Sequence, residues 1–130
     1  MEPRPRWWVP WAPALGYMLL IWALSSIPTQ FDFSRVPFRD KGAHFVEYAT
    51  LAVLLAHALL GSFARASAIV LFAVAALGTT LWGAIDEIHQ AFVPGRVSDV
   101  NDLMADAIGA ISGAALYVLV RRRARRITRP

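Results

Sequence analysis

The chain has 130 residues, room for one domain, and is 57% hydrophobic but only 17% charged, against about 45–50% and 25% in ordinary soluble domains. Five Trp and seven Phe, with a mean hydropathy of +0.47, argue against a water-soluble enzyme and against a disordered segment, leaving a small integral membrane protein. The formal net charge is +4, arginines gather at the C-terminus, and the absence of cysteine removes disulfide, iron–sulfur and thiolate chemistry.

A bilayer core about 30 Å thick needs roughly 20 mostly apolar residues as helix. Residues 1–10 read as a basic tail carrying Arg4 and Arg6. The first helix is expected over about 11–28, inside an uncharged run of 25 residues between Arg6 and Asp32. Its start resembles a cleaved signal peptide, but the apolar stretch is long for one, and Trp7, Trp8 and Trp11 suit a membrane interface. The second helix is expected over about 40–61; its uncharged part, from Tyr48 to Ala64, is 17 residues. The third is expected over about 67–91, around the 20 uncharged residues from Ala66 to Ile85. The fourth is expected over about 99–120, where 14 uncharged residues follow Asp106. Pro28, Pro37, Gly61 and Pro94-Gly95 mark the links. The expected fold is an all-α, integral membrane four-helix bundle over residues 11–120, with residues 121–130 as an Arg-rich tail.

Lys and Arg bias orients such a bundle. Nine arginines (Arg4, Arg6, Arg65, Arg121, Arg122, Arg123, Arg125, Arg126 and Arg129) fall on one side, against Arg35, Arg39, Lys41 and Arg96 on the other. Both termini are therefore expected in the cytoplasm. Directly after an apolar span, the arginine tail reads as an anchor on anionic lipid and an orientation signal, not as a nucleic-acid patch.

The polar residues of the spans gather at the other end. Lys41, His44, Glu47 and Tyr48 occupy an arc of roughly 120° at the start of the second helix, taking about 100° per residue. Asp86, Glu87 and Gln90 share a face at the end of the third, with His89 turned aside. Asp99, Asp102 and Asp106 open the fourth, and Gly109 and Gly113 continue their stripe inward, where with Gly83 and Thr79 they allow close helix approach. Ser25 and Ser26 close the first helix. Helix ends near water account for Asp40, Asp99 and Arg39. Glu47 and Asp106 lie two turns inside, where a charge facing lipid costs at least about 2.5–3.5 kcal/mol, so a shared hydrated pocket is expected. His57, near the opposite end, reads as a packing or interfacial residue.

The strings Ser25-Ser26-Ile27-Pro28 and Asp40-Lys41-Gly42-Ala43-His44-Phe45-Val46-Glu47-Tyr48 resemble the first half of the VanZ-like membrane protein pattern. The second half is similar in Asp86-Glu87, Gln90, Pro94-Gly95-Arg96, Asp99, Asp102, Gly109 and Gly113, so that the resemblance runs from about residue 15 to 118. Asp106 departs from it: the family pattern usually has Asn one turn before the glycine. The resemblance implies a role in the bacterial envelope, at the cytoplasmic membrane. The family is named for a protein linked to reduced sensitivity to teicoplanin, an antibiotic acting on cell-wall precursors.

Three functions are open. The first is an enzyme or binding site for the head group of an anionic lipid or lipid-linked envelope precursor. Here Lys41 and Arg96 hold phosphate, Tyr48 and Gln90 orient, and His44, Glu47, Glu87, Asp102 and Asp106 hold or move protons. The carboxylates outnumber the cations, so some are protonated or a divalent cation such as Mg²⁺ joins them; a zinc set of His44, Glu47, Glu87 and His89 lacks a recognised spacing. The second is a homodimeric proton- or cation-coupled transporter, disfavoured because the polar groups sit at one end. The third is a non-catalytic accessory subunit with an envelope partner. Ser25 and Ser26 are candidate nucleophiles near His44, although hydroxyls at helix ends more often bond backbone.

Overall fold

The computed structural model describes residues 8–28 and 39–127, the last including only the backbone of Arg39 and Asp40. All regular structure in these residues is helical. A 3₁₀ turn, Val9–Trp11, leads into α1, Ala12–Ser25; α2 is Arg39–Ser62, α3 is Ala68–Gln90 and α4 is Val100–Ile127. Pro10 and Pro13 suit their places in the first turns, where a missing N–H costs no intrahelical bond. Helix α1 stops at Ser25, three residues short of Pro28, where the Ser26 N–H and hydroxyl both close on the Trp22 carbonyl, at 3.1 and 2.6 Å. Ser67 starts α3 by accepting a hydrogen bond from the Val70 N–H at 3.3 Å.

Helix α4 runs on to Ile127, beyond the end at residue 120 expected from hydropathy. Hydropathy falls at Arg121, but Arg and Ala are strong helix formers, so the segment Arg121-Arg122-Arg123-Ala124-Arg125-Arg126 continues the helix. Most of the expected C-terminal tail is thus a helical extension.

Three of the helices are long and apolar enough to cross a membrane: 22 residues from Lys41 to Ser62, 23 from Ala68 to Gln90 and 28 from Val100 to Ile127. The apolar stretch Val9–Ser25 is shorter. The packing is that of a protein solvated by lipid. Large apolar side chains point outward, among them Leu19 and Leu20 on α1, Leu77, Leu81 and Ile88 on α3, and Ile108, Leu116 and Leu119 on α4. So much exposed apolar surface is foreign to soluble monomers. Small residues fill the interior instead: Ala52 and Ala56 of α2, Ala75 and Ala76 of α3, and Ala110 and Ala114 of α4 are buried together. In lipid no hydrophobic force drives helices together, so contact comes from close backbone approach. A second apolar patch, Ile21, Tyr48 and Leu51 with Tyr17, Met18 and Trp82, seats α1 against α2 and α3.

The tightest seam is between α2 and α4. A Cβ added to Gly109 would lie 2.4 Å from the Phe45 carbonyl oxygen, and one on Gly113 would lie 2.1 Å from that of Ala49. Only glycine fits at either position. The helices alternate in direction, so the C-terminal ends of α1 and α3 meet the N-terminal ends of α2 and α4. At the opposite end Trp11 Nε1 donates to Ser62 Oγ at 2.6 Å, and His57 meets Tyr117 edge-on, with Tyr117 Oη 3.4 Å from His57 Nδ1.

Candidate functional site

Four carboxylates, Asp86, Glu87, Asp102 and Asp106, are buried at the polar end. Asp86, 2% exposed, lies on the inner face of α3. Its Oδ1 accepts from Ser25 Oγ at 2.5 Å, closing α1 onto α3. Its Oδ2 accepts from Gln90 Nε2 at 2.8 Å and, more weakly, from Tyr48 Oη at 3.5 Å. Gln90 is one helical turn from Asp86, which puts it on the same face. With both oxygens satisfied, Asp86 acts as a pin joining α1, α2 and α3.

Glu87 and Asp106 differ in having one partnered and one unpartnered oxygen. Glu87 Oε2 accepts from Ser98 Oγ at 3.1 Å and from the Asp99 N–H at 3.0 Å, so it ties the α3–α4 link to α3. Asp106 Oδ1 lies 2.9 Å from His44 Nδ1, joining α4 to α2; with Asp106 ionised, the bond requires the proton on Nδ1. The His44 ring lies parallel to that of Tyr48, 6.3 Å away. Glu87 Oε1 and Asp106 Oδ2 are buried and, among the described residues, have no hydrogen-bond partner. Leaving such an oxygen unmatched costs roughly 1–3 kcal/mol, more when charged. Gly83 makes the space they share with α3: a Cβ there would stand 2.9 Å from Asp106 Oδ2 and 3.0 Å from Tyr48 Cε1. One ligand atom from each of His44, Glu87 and Asp106 falls within 4.8 Å of the others, and these three could hold a metal.

The rim carries the fixed cations. Lys41 Nζ donates to Asp102 Oδ1 at 2.8 Å and to Asp99 Oδ2 at 3.1 Å, bridging α2 to the start of α4. Asp99 also caps α4, its Oδ1 accepting from the Asn101 N–H at 2.8 Å. That N–H, followed by the Lys41 ammonium, holds the Asp99 carboxyl below the usual range. Gly95, at φ 79°, makes the turn after α3. The turn sends Arg96 back to the end of α1, where Nη2 donates to the Leu24 carbonyl at 3.0 Å and Nε to that of Ile27 at 3.4 Å. A guanidinium at a helix C-terminus satisfies orphaned carbonyls and opposes the negative end of the dipole.

The family model for VanZ/LLP1 matches residues 8–121. The chain belongs to the VanZ/LLP1 family. No curated protein and no solved structure matches it. In this VanZ/LLP1 chain the structure brings His44, Tyr48, Glu87, Gln90 and Asp106 into one buried group, with Asp102 and Lys41 at its edge. Glu47 is half-buried and, among the described residues, makes no hydrogen bond or ion pair. At 100° per residue it lies at the edge of the α2 arc, about 60° from His44.

Several expectations change. The zinc set of His44, Glu47, Glu87 and His89 does not assemble. His89 stacks on Trp22 with ring centroids 3.9 Å apart, and its Nε2 lies 2.9 Å from Ser26 Oγ. The group that does assemble has Asp106 in place of Glu47 and His89. Ser25 and Ser26 face Asp86 and His89, so neither is paired with His44 as a nucleophile would be. Arg96, expected to face phosphate, reaches helix carbonyls. Asp86 was missed as a site residue. Its shared face with Gln90 was the available signal, but Ser25, 61 residues away, left no trace in local spacing.

Proposed function

We propose that this VanZ/LLP1 protein binds, at the extracytoplasmic end of its bundle, the polar head group of an anionic lipid or lipid-linked envelope precursor in the bacterial cytoplasmic membrane. The observation that carries this reading is the confinement of the buried carboxylates and His44 to one end; Thr79, the buried polar side chain away from that end among the described residues, lies midway along α3 and is uncharged. Ser25, His44, Asp86, Glu87, Gln90, Asp102 and Asp106 are buried there, whereas the seam below Asp106 continues as Gly109, Ala110, Gly113 and Ala114. A site at head-group depth has this distribution; a carrier needs polar groups across the midplane.

The division of charge suggests how a head group would sit. Lys41 is an accessible cation at the rim of the cluster, its side chain 39% exposed. Its ammonium has three donors, two of them engaged with Asp99 and Asp102, so it can turn to a phosphate at the rim. The inner wall, made of His44, Glu87 and Asp106, suits sugar or glycerol hydroxyls and amines, which donate to carboxylates. An apolar groove of about 270 Å³ between α2 and α4, lined by Phe45, Val46, Ala49, Thr50, Val53, Ser112, Gly113 and Leu116, offers an acyl chain a place beside them. The arginine excess on the opposite loops and tails supports cytoplasmic termini. If the lipid carries a cell-wall precursor, altered response to teicoplanin-type antibiotics follows from the same binding.

The test is native mass spectrometry of protein released from nanodiscs containing phosphatidylglycerol and phosphatidylcholine. Wild type and Tyr117→Phe, at the far end, should retain phosphatidylglycerol selectively, and Lys41→Gln should not. Equal retention by Lys41→Gln refutes the assignment.

A further inference from the structure

From the donor atoms at the polar end we infer that His44, Glu87 and Asp106 form a binding site for a divalent transition-metal ion, with Zn²⁺ and Mn²⁺ the best matched. The inference shares its cavity with the head-group reading and rests on it only for what the ion does, not for where it binds.

Two observations converge. First, one nitrogen and two carboxylate oxygens from three different helices lie within 4.8 Å of one another. Around an ion with bonds of about 2.1 Å, tetrahedral ligands stand about 3.4 Å apart. The His44 Nδ1 to Asp106 Oδ1 separation of 2.9 Å is already near that value, so this pair needs little rearrangement to share an ion. Second, Glu87 and Asp106 are 5% and 0% exposed, and each has a buried oxygen without a partner. Two buried carboxylates side by side repel unless a positive charge joins them. Among the described residues, the fixed cations at this end are engaged elsewhere, Lys41 with Asp99 and Asp102 and Arg96 with the α1 carbonyls.

The donor set narrows the ion. Imidazole favours Zn²⁺ over Mg²⁺ or Ca²⁺, and paired carboxylates keep Mn²⁺ in contention. Three protein ligands leave at least one position open, as in catalytic rather than structural sites. Ser98 and the Asp99 N–H on Glu87 Oε2 form an outer layer that holds this carboxylate in place. In the head-group reading, the open position receives a phosphate oxygen, which explains how an acidic pocket accommodates an anionic lipid.

The experiment is calorimetric titration of full-length protein in detergent, stripped with chelator, using Zn²⁺, Mn²⁺ and Mg²⁺ alone. Wild type should take up one Zn²⁺ or Mn²⁺ per chain and bind Mg²⁺ far more weakly. Glu87→Gln and Asp106→Asn, both nearly isosteric, should each weaken binding by roughly tenfold or more, the loss already typical of outer-layer partners. Circular dichroism identifies a variant that fails to fold, in which case the other decides. His57→Ala, at the opposite end, should bind like wild type. Bound Mn²⁺ should show nitrogen hyperfine coupling that disappears in His44→Ala.

Absent stoichiometric binding, or binding unchanged in both carboxylate variants, overturns the inference. So does an infrared band of a protonated carboxyl group in metal-treated protein that vanishes in Glu87→Gln, since a shared proton would then fill the gap. Metal binding lost with lipid retention intact removes the ion and leaves the head-group reading standing; the reverse removes only the head group.

Discussion

Replacing Gly109 with alanine tests whether the α2–α4 seam sets the geometry of the polar end. The new Cβ would stand 2.4 Å from the Phe45 carbonyl oxygen and 3.1 Å from its carbonyl carbon and Cα. Backbone cannot rotate aside, so the helices must separate by about 1 Å to recover an ordinary contact near 3.5 Å. Overpacking of this kind costs about 1–3 kcal/mol. Alanine returns about 1 kcal/mol of helix propensity, so the net loss should be about 0–2 kcal/mol. Gly16→Ala is the matched control: nothing lies within 4 Å of its added Cβ, and propensity alone should act, with the opposite sign. Gly109 is one turn from Asp106, and Phe45 adjoins His44. A 1 Å separation would stretch the 2.9 Å His44–Asp106 bond beyond hydrogen-bonding range. Reversible unfolding in mixed micelles, followed by tryptophan fluorescence, gives the stability difference; nitrogen NMR of His44 reports the bond. Gly109→Ala as stable as Gly16→Ala, with the His44 signal unchanged, would refute the seam.

Asp86→Ala should destabilise by about 1–3 kcal/mol for each buried donor left unpaired in the same assay, because Ser25 and Gln90 lose their common acceptor inside the bundle; a total loss below about 1 kcal/mol would show that Asp86 is no pin. Asp99, on the rim, gives a pH dependence. Its folded carboxyl is held below the unfolded value by the Asn101 N–H and Lys41, so its contribution is present above the unfolded pKa of about 3.9 and lost as pH falls through the folded one. Hydrogen exchange at Asn101 should therefore be steady from pH 5 to 8, after correction for intrinsic rates, and accelerate below about pH 4; Asp99→Asn should abolish that acid step.

The helices were legible because uncharged runs of membrane length are a global signal, little affected by tertiary contact. So was the gathering of polar residues at one end, since helix direction alternates along the chain and each face follows from the 100° step. What escaped reading was pairing. His89 was placed off the main face by its angle, but nothing local to it announces Trp22 and Ser26 as partners. Arg96 sits in a turn, where phosphate and carbonyl are equally available to a guanidinium, and only the fold brings the α1 carbonyls within reach. Glu47 and Asp106 looked alike in depth. Their difference comes from angle: Asp106 continues the glycine stripe into the α2–α4 seam, and Glu47 lies at the margin of its arc. The end of α4 was misjudged because hydropathy registers where lipid stops and not where helix stops.

That continuation of α4 makes a rigid ruler. Arg121, Arg122, Arg123, Arg125 and Arg126 stud the same rod that carries Asp106, and at 1.5 Å per residue about 22 Å separates Arg121 from Asp106. At 100° per residue these guanidinium groups cover an arc of about 200°, and they resist being drawn into acyl chains and can moor to lipid phosphates. So held, this face would keep the rod from sliding. The depth of the acidic cavity is thus gauged from the opposite leaflet, and a bilayer of altered thickness would shift the cavity relative to its nearer surface.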